Sequence, residues 1–212
     1  MDSWHVFILH STFSNVQFHN LMTIRPDIKW ESTENGTIAV QIRKMPEGQT
    51  MRRILEIRLP TVMSVPDPTL TMRNCWGKSS RMGWTLPVDD VSSRKFNVGK
   101  LPKDVPPPRD PWPIYDGKLW TELTSEEHQR NPGDYEAQVS QGAITLHSEE
   151  HLVGSDRGIS MYRRRLREQI ALARKGSDVV NVDREADGMV KIRAGNFLIY
   201  GSIAGGEAKT LT

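Results

Sequence analysis

The sequence predicts an α+β fold in which antiparallel strands come first and a long amphipathic helix comes last. In the first half of the chain, segments of alternating polar and apolar residues are separated by turn-forming residues, which is typical of antiparallel strands. In the last third, apolar residues recur at steps of three and four, which is typical of a helix with one buried face. Strands followed by such a helix indicate a sheet that packs on a helix.

Two segments near residue 45 give the clearest strand prediction. Thr37–Arg43 alternates in polarity, and Met51–Leu59 follows after the turn Pro46-Glu47-Gly48, so the pair is predicted to form a hairpin with a longer loop. The residues on one face of the first strand are Ile38, Val40 and Ile42. Three further strands are predicted, the last two joined by a turn at Asp89-Asp90: Leu70–Trp76, Met82–Val88 and Arg94–Val98.

The segments around the strands have other predicted structures. Residues 1–20 are expected to form a short helix and then an irregular segment, and residues 205–212 are expected to be frayed. Residues 101–117 contain six prolines, which exclude a regular helix or a central strand, so we expect a long ordered loop or an extended cover over the sheet. Ser155 is expected to cap the C-terminal helix and Gly176 to end it. The apolar stripe of that helix consists of Ile159, Tyr162, Leu166, Ile170 and Ala173.

The composition of the 212 residues limits the classes of function. A hydrophobic fraction of 37% and a charged fraction of 25% are typical of a globular domain, which is expected to span residues 1–212. The formal net charge of +2 provides no strong field for nucleic acid or an anionic membrane, and the basic run at residues 163–167 is expected to be a solvated helix face. No apolar run is long enough to span a bilayer.

Cys75 is the single cysteine of the chain. It cannot form a disulfide within the chain or a cysteine-based zinc or iron–sulfur site, and it is expected to be a core or strand residue rather than a catalytic one. Together with an N-terminus that does not resemble a signal peptide, this cysteine content favours a reducing cytoplasm as the compartment.

His5 and His10 are the strongest candidates for chemistry, because imidazole binds iron, copper and zinc. A step of five residues rotates the second side chain off the face of the first, so convergence is expected to need a helix that ends or bulges between them. Asp2 lies three residues before His5, close enough to hold a ring N–H of that histidine. Two histidines on an ordinary helix are the alternative.

A third ligand would complete the arrangement of two histidines and one carboxylate that leaves open positions for dioxygen and substrate. Spacing alone cannot choose among 26 acidic residues. Asp134 and Glu136 are candidates because they follow a Pro-Gly turn that suits a helix start. The alternative is that an acidic residue in a first helical turn is simply a favoured cap.

The remaining candidates are weaker. His128 follows two glutamates and is expected to be exposed, while His147 and His151 lack a zinc motif and are expected to have a loop role. Four tryptophans could line an aromatic pocket, with packing in the core or in loops as the alternative: Trp76, Trp84, Trp112 and Trp120.

Several segments together resemble the Rieske non-haem iron oxygenase family. The segment Asp2–His10 is similar to the family's Asp-x-x-His-x(4)-His element, and Asp134 falls where the third iron ligand of the family lies. Ser148–Ile159 and the helix after it resemble the end of the phthalate dioxygenase branch, and residues 84–90 resemble that branch and its aromatic O-demethylase relatives. The resemblance covers nearly the whole chain.

The resemblance implies a helix-grip fold, in which a curved antiparallel sheet wraps around a long C-terminal helix and the substrate pocket lies between them. It implies that His5, His10 and Asp134 bind one Fe(II) ion. It also implies that Asp2 is a bridging carboxylate, which links an iron-ligand histidine to a cluster-ligand histidine of the neighbouring subunit in a ring-shaped homotrimer.

Members of the family begin with a Rieske domain, whose [2Fe–2S] cluster is held by two cysteines and two histidines. A chain with one cysteine cannot hold that cluster, so it is expected to be the catalytic domain alone, truncated N-terminally relative to the family. The implied reaction is hydroxylation or O-demethylation of an aromatic substrate with O2, with electrons passed from a ferredoxin or reductase through a Rieske cluster supplied elsewhere. The alternatives are an inactive fragment, a metal-free protein that binds an apolar small molecule, and a hydrolytic zinc site.

Overall fold

An antiparallel sheet organises the part of the chain that the computed structural model describes, namely residues 4–12, 20–67, 76–101, 103, 117–130, 132–182, 190–200 and 209–210. Nine strands lie within those residues: β1 (Asp27–Thr33), β2 (Gly36–Lys44), β3 (Thr50–Arg58), β4 (Val62–Ser64), β5 (Gly77–Lys78), β6 (Arg81–Pro87), β7 (Ser93–Gly99), β8 (Gly195–Tyr200) and β9 (Lys209–Thr210). Four α-helices accompany them: α1 (His5–Thr12), α2 (Ser125–Arg130), α3 (Asp134–Val139) and α4 (Arg157–Arg174).

The strands pair in the order β1-β2-β3-β4-β6-β7, and β8 pairs with β3, β5 and β9. Strand β8 runs beside residues 50–54 of β3 and β4 beside residues 56–58, so the two strands share one edge of β3. Both predicted hairpins are confirmed: β2 and β3 are joined through a 3-10 turn at Pro46–Gly48, and β6 and β7 pair along their full lengths.

Three sequence predictions concern segments of which the structure describes only a few residues. Most of the predicted strand Leu70–Trp76, of the proline-rich segment 101–117 and of residues 205–212 lies outside the described residues. Trp76 itself is described, and it is exposed immediately before β5. Predictions for the rest of these segments therefore remain predictions.

Helices α1 and α4 cover the same face of the sheet, which we call the inner face. Trp30 on β1 packs against Gly158 near the start of α4. Met51 on β3 forms a buried apolar cluster with Val6 of α1 and with Met22. Because directly paired residues of antiparallel strands point to the same side, the register defines the inner face of β2. Its members are Thr37, Ala39, Gln41 and Arg43.

The inner face of β2 is fully buried although three of its four residues are polar. Gln41 and Arg43 have no exposed surface, whereas on the apolar face predicted from the alternation Ile38 is buried and Val40 and Ile42 are only half-buried. The reason is position in the fold, since the inner face is the one covered by helices. The Arg43 guanidinium donates to Gln41 Oε1 at 2.9 Å and to the carbonyl oxygen of Ile24 at 3.0 Å, while Arg43 Nη2 and Thr37 Oγ1 are buried without a hydrogen-bond partner among the described residues.

Arg53 on β3 is a second buried guanidinium on the inner face. It donates to Oδ1 of Asn196 at 2.9 Å and to the carbonyl oxygen of Pro66 at 2.6 Å. Burial lowers the pKa of Arg53 to about 9 and that of Arg43 to about 10. Both values remain above neutral pH, so both side chains stay charged there. Both guanidinium groups donate to neutral oxygen atoms, and the nearby charge of Asp67 raises the pKa of Arg53 against the effect of burial.

Helix α4 is the predicted C-terminal helix, and its end was predicted correctly. Gly176 has φ of +73°, and its N–H donates to the carbonyl oxygen of Ala173 at 2.9 Å, as a C-terminal glycine does. The prediction that Ser155 caps the helix is wrong. A 3-10 turn at Gly154–Asp156 precedes α4, which places Asp156 at the N-cap position.

Two arginines on α4 are engaged by neighbouring segments, so the prediction that the basic run is a solvated face is wrong in part. Arg165 donates to the carbonyl oxygens of Glu34 at 2.9 Å and Gly36 at 3.2 Å, at the turn between β1 and β2. Arg163 makes a two-bond ion pair with Glu150, with distances of 2.5 and 2.6 Å. These contacts fix α4 to the sheet and to the segment that precedes it.

The architecture is the helix-grip type of α+β fold that the sequence resemblance implied: a curled antiparallel sheet with a C-terminal helix against it. The first half of the apolar stripe of α4 is half-buried, but Ile170 is 44% exposed, so the last turns of the helix are less covered. Among the helices of the described residues, none combines the length and the apolar character needed to cross a membrane.

Candidate metal centre

Helix α1 brings His5 and His10 to one place. His5 is the first residue of the helix, and Val6 anchors the helix to the inner face through its cluster with Met22 and Met51. The two imidazole rings lie edge to face with centroids 5.6 Å apart. The expectation of a break between the histidines is wrong, because α1 is continuous from His5 to Thr12. Imidazole side chains reach far enough beyond the helix backbone to converge without one.

Helix α3 supplies a carboxylate to the same place. Asp134 is the first residue of α3 and follows Gly133, so the predicted helix start at the Pro-Gly turn is confirmed. Its Oδ1 lies 3.1 Å from Nε2 of His10 and 3.5 Å from Nε2 of His5. One potential ligand atom from each of the three residues lies within 4.8 Å of the other two.

The environment of Asp134 keeps its carboxylate ionised at neutral pH. The pKa of Asp134 is held below its usual range, first by the hydrogen bond from His10 and against the opposing effect of partial burial. The charges of His5 and of Lys95, on β7, act in the same direction more weakly. An ionised carboxylate is the form that binds a metal ion.

Exposure differs across the three side chains. That of His10 is 1% exposed, whereas those of His5 and Asp134 are 41% and 53% exposed. The cluster is therefore backed by protein on the His10 side and reaches solvent on the other side. Two imidazoles, one carboxylate and an open side are a donor set that can bind a divalent metal ion and leave positions for small ligands.

The other predicted site residues lie elsewhere or outside the described residues. Asp2, Cys75 and Trp112 are outside them. His147 and His151 are exposed in and beside a short 3-10 turn, where a loop role was predicted. Two further tryptophans do not approach the cluster through any described contact: Trp76 and Trp84, both of which are exposed.

The structure contradicts the expectation that His128 is exposed. Its Nδ1 lies 2.7 Å from Oε1 of Glu136, and its ring packs on Trp120 with centroids 4.6 Å apart. Glu136, the second candidate for the third ligand, thus faces α2 and not the two histidines. The sequence signal for this arrangement is the glutamate three residues after Gly133, a position from which a side chain can cap the helix.

The helix-grip fold and the cluster of two imidazoles and one carboxylate define a class of protein, the α+β domains with a candidate mononuclear metal centre. No family model matches the sequence. The chain is 40% identical over 198 residues, 93% of its length, to the phenoxybenzoate dioxygenase subunit alpha of Ectopseudomonas oleovorans. It is 29% identical over 192 residues, 81% of its length, to the oxygenase subunit of the tert-butanol monooxygenase / tert-amyl alcohol desaturase of Aquincola tertiaricarbonis.

Over the matched residues, the chain belongs to the family of Rieske-type oxygenase α subunits, as the sequence resemblance predicted. That family consists of oxidoreductases, and both relatives are named as dioxygenase or monooxygenase subunits. The chain spans about half the length of the curated relatives it matches, 47% of the first and 41% of the second.

Proposed function

We propose that residues 1–212 form the catalytic domain of a Rieske-type oxygenase, and that His5, His10 and Asp134 bind one Fe(II) ion. The observation that carries the proposal is the convergence of their three ligand atoms within 4.8 Å of one another, although His10 and Asp134 lie 124 residues apart in the sequence. Two histidines and one carboxylate with open positions are the ligand set of non-haem Fe(II) oxygenases.

Each residue of the cluster has a distinct task in this proposal. Buried His10 fixes the position of the ion against the protein, while His5 and Asp134 complete the ligand set on the side that reaches solvent. When bound, the iron would activate O2 for hydroxylation or O-demethylation of an aromatic substrate. The electrons would come from a ferredoxin or reductase through a Rieske [2Fe–2S] cluster that this chain, with its single cysteine, does not hold.

The substrate and assembly parts of the proposal rest on the relatives and on the resemblance. Phenoxybenzoate in the name of the first relative supports an aromatic substrate, whereas the name of the second relative contains tert-butanol, a small alcohol. We further propose a homotrimer of the full-length protein, in which Asp2 bridges the iron site to the cluster of the neighbouring subunit. The cysteine content supports a cytoplasmic location.

Metal analysis after anaerobic reconstitution with Fe(II) tests the proposal. The wild-type chain should bind one iron per chain, and His5→Ala, His10→Ala and Asp134→Ala should each lose stoichiometric iron because each removes a ligand. His147→Ala removes an exposed histidine and is the matched control, so it should bind as much iron as the wild type.

Three experimental outcomes distinguish the proposed iron site from its alternatives. Full iron retention in the His10→Ala variant, with an unchanged circular dichroism spectrum, would show that the metal lies elsewhere. Absence of iron from the wild-type chain would leave the metal-free pocket protein or inactive fragment. Zinc bound in preference to iron, in a competition with both metals present, would favour a hydrolytic site.

A further inference from the structure

The segment that carries Asp134 is not anchored by the hydrophobic core. Helix α3 has six residues, α2 has six as well, and neither contains a buried residue. A helix of this length is marginal without tertiary support. Something other than apolar packing must therefore hold Asp134 beside the two histidines of α1.

Glu136 provides polar contacts that can hold this segment. Its Oε1 accepts hydrogen bonds from Nε1 of Trp120 at 2.8 Å and from Nδ1 of His128 at 2.7 Å. Its Oε2 accepts a hydrogen bond from the backbone N–H of Gly133 at 2.8 Å. One carboxylate thus connects the 3-10 turn at Trp120–Glu122, helix α2 and the residue immediately before Asp134.

Aromatic packing reinforces the same group. The Trp120 ring lies 3.9 Å, between centroids, from that of Tyr135 and 4.6 Å from that of His128. Tyr135 lies between Asp134 and Glu136 in the sequence, so the first turn of α3 is held at two successive residues. Because residues two apart on a helix are about 200° apart around its axis, Asp134 can face α1 while Glu136 faces α2.

We propose that Glu136 is a positioning residue for the third metal ligand. It ties the first turn of α3 to Trp120 and α2, and this keeps the Asp134 carboxylate within reach of His5 and His10. The inference rests on the proposed metal centre, but it concerns a residue that does not touch the ion. Removing a group that is hydrogen-bonded to a metal ligand typically changes metal affinity by about 10–100-fold, and Glu136, which is bonded to the residue before the ligand, is expected to act up to that range.

Anaerobic titration with Co(II), followed by visible absorption, tests the inference without a catalytic assay. Glu136→Ala should weaken Co(II) binding by up to about 100-fold. Its Co(II) spectrum should shift towards that of Asp134→Ala, because the carboxylate no longer stays in the coordination sphere. Glu136→Gln keeps one acceptor oxygen, so its affinity should lie between those of the wild type and Glu136→Ala.

Two further variants separate positioning from general stability. Glu126→Ala removes an exposed carboxylate of α2, whose ion-pair partner Arg130 lies one turn further along the same helix, and should leave Co(II) affinity within about twofold of the wild type. Trp120→Phe removes one N–H donor and keeps an aromatic ring, so it should weaken Co(II) binding less than Glu136→Ala does. It also serves in place of Glu136→Ala if that variant does not fold.

The outcomes distinguish this inference from the proposed function. If the wild-type chain does not bind Co(II), the proposed metal centre is wrong. If the wild type binds and Glu136→Ala, or Trp120→Phe in its place, keeps the wild-type affinity and spectrum, the positioning role is wrong and the metal centre stands. A loss of melting temperature in Glu136→Ala without a change in affinity or spectrum would also contradict the positioning role.

Discussion

Gly158→Ala tests whether close contact between α4 and the sheet holds the fold together. A Cβ at residue 158 would lie closer than 3.0 Å to three ring atoms of Trp30, a separation that real Cβ atoms do not show. Either the indole or the helix must move; overpacking costs about 1–3 kcal/mol, and separations this far below 3.0 Å put this contact in the upper part of that range, at about 2–3 kcal/mol. Alanine gains at most about 1 kcal/mol over glycine in helix propensity. The net expectation is a loss of about 1–2 kcal/mol.

Thermal unfolding followed by circular dichroism measures this loss. For a chain of this size, 1 kcal/mol corresponds to about 2–4 °C, so the melting temperature of Gly158→Ala should fall by about 2–8 °C. Ser160→Ala, at an exposed position of the same helix, is the control and should be neutral or slightly stabilising. In a Trp30→Leu background the clash is relieved, so Gly158→Ala should cost little or stabilise.

Gly158→Ala is expected to destabilise the fold, and two results would contradict this expectation. A Gly158→Ala variant that melts at or above the wild-type temperature would show that helix propensity outweighs the contact with Trp30. An equal loss in the wild-type and Trp30→Leu backgrounds would show that the indole is not the group that obstructs the methyl. Either result would refute the account of how α4 sits on the sheet.

Three further predictions concern the surroundings of α4 and the metal centre. Arg165→Ala removes charge-assisted hydrogen bonds to the β1–β2 turn and should cost about 1.5–3 kcal/mol in chemical denaturation, whereas exposed Arg164→Ala should be nearly neutral. Arg163→Met should lower the melting temperature at pH 7, and a deficit that persisted unchanged at pH 3 would contradict the ion-pair explanation. A bound divalent metal at 100 times its Kd should add about 2.7 kcal/mol of stability in the wild type and none in His10→Ala.

The pH dependence of the Arg163→Met effect follows from Glu150. The hydrogen bond from Arg163 holds the pKa of Glu150 below its usual range. A depressed carboxylate pKa stabilises the folded state at pH values above the unfolded pKa of about 4.3, and this contribution is lost as the pH falls through the folded pKa. The difference in melting temperature between the wild type and Arg163→Met should therefore shrink as the pH falls below about 4.

The secondary-structure elements that were predicted correctly are those determined by residues close together in the sequence. The β2–β3 hairpin follows from alternation interrupted by a Pro-Glu-Gly turn, and α4 follows from a repeat of three and four residues that ends at Gly176. The burial of the inner face had no such signal. Gln41 and Arg43 are polar, yet they are buried on the face of the sheet against which α1 and α4 pack through Met51 and Trp30.

The candidate centre was reached by resemblance more than by spacing. The five-residue step between His5 and His10 predicted a helix that ends or bulges between them. Helix α1 is continuous, so the helix geometry predicted from the spacing was wrong. Asp134 and Glu136 could not be separated by local sequence, because both occupy the first turn of α3. The choice between them depends on what faces each side of that helix, which is a property of the tertiary structure.

The absence of buried side chains in α2 and α3 also bears on how a metal ion would enter and leave. Segments with few apolar contacts open locally at a free energy well below that of global unfolding. Opening of α3 would withdraw one ligand while His5 and His10 stay on α1, which the core anchors through Val6. The exchange rate of the ion would then follow the local stability of a six-residue helix, and it would be insensitive to changes that stabilise the sheet.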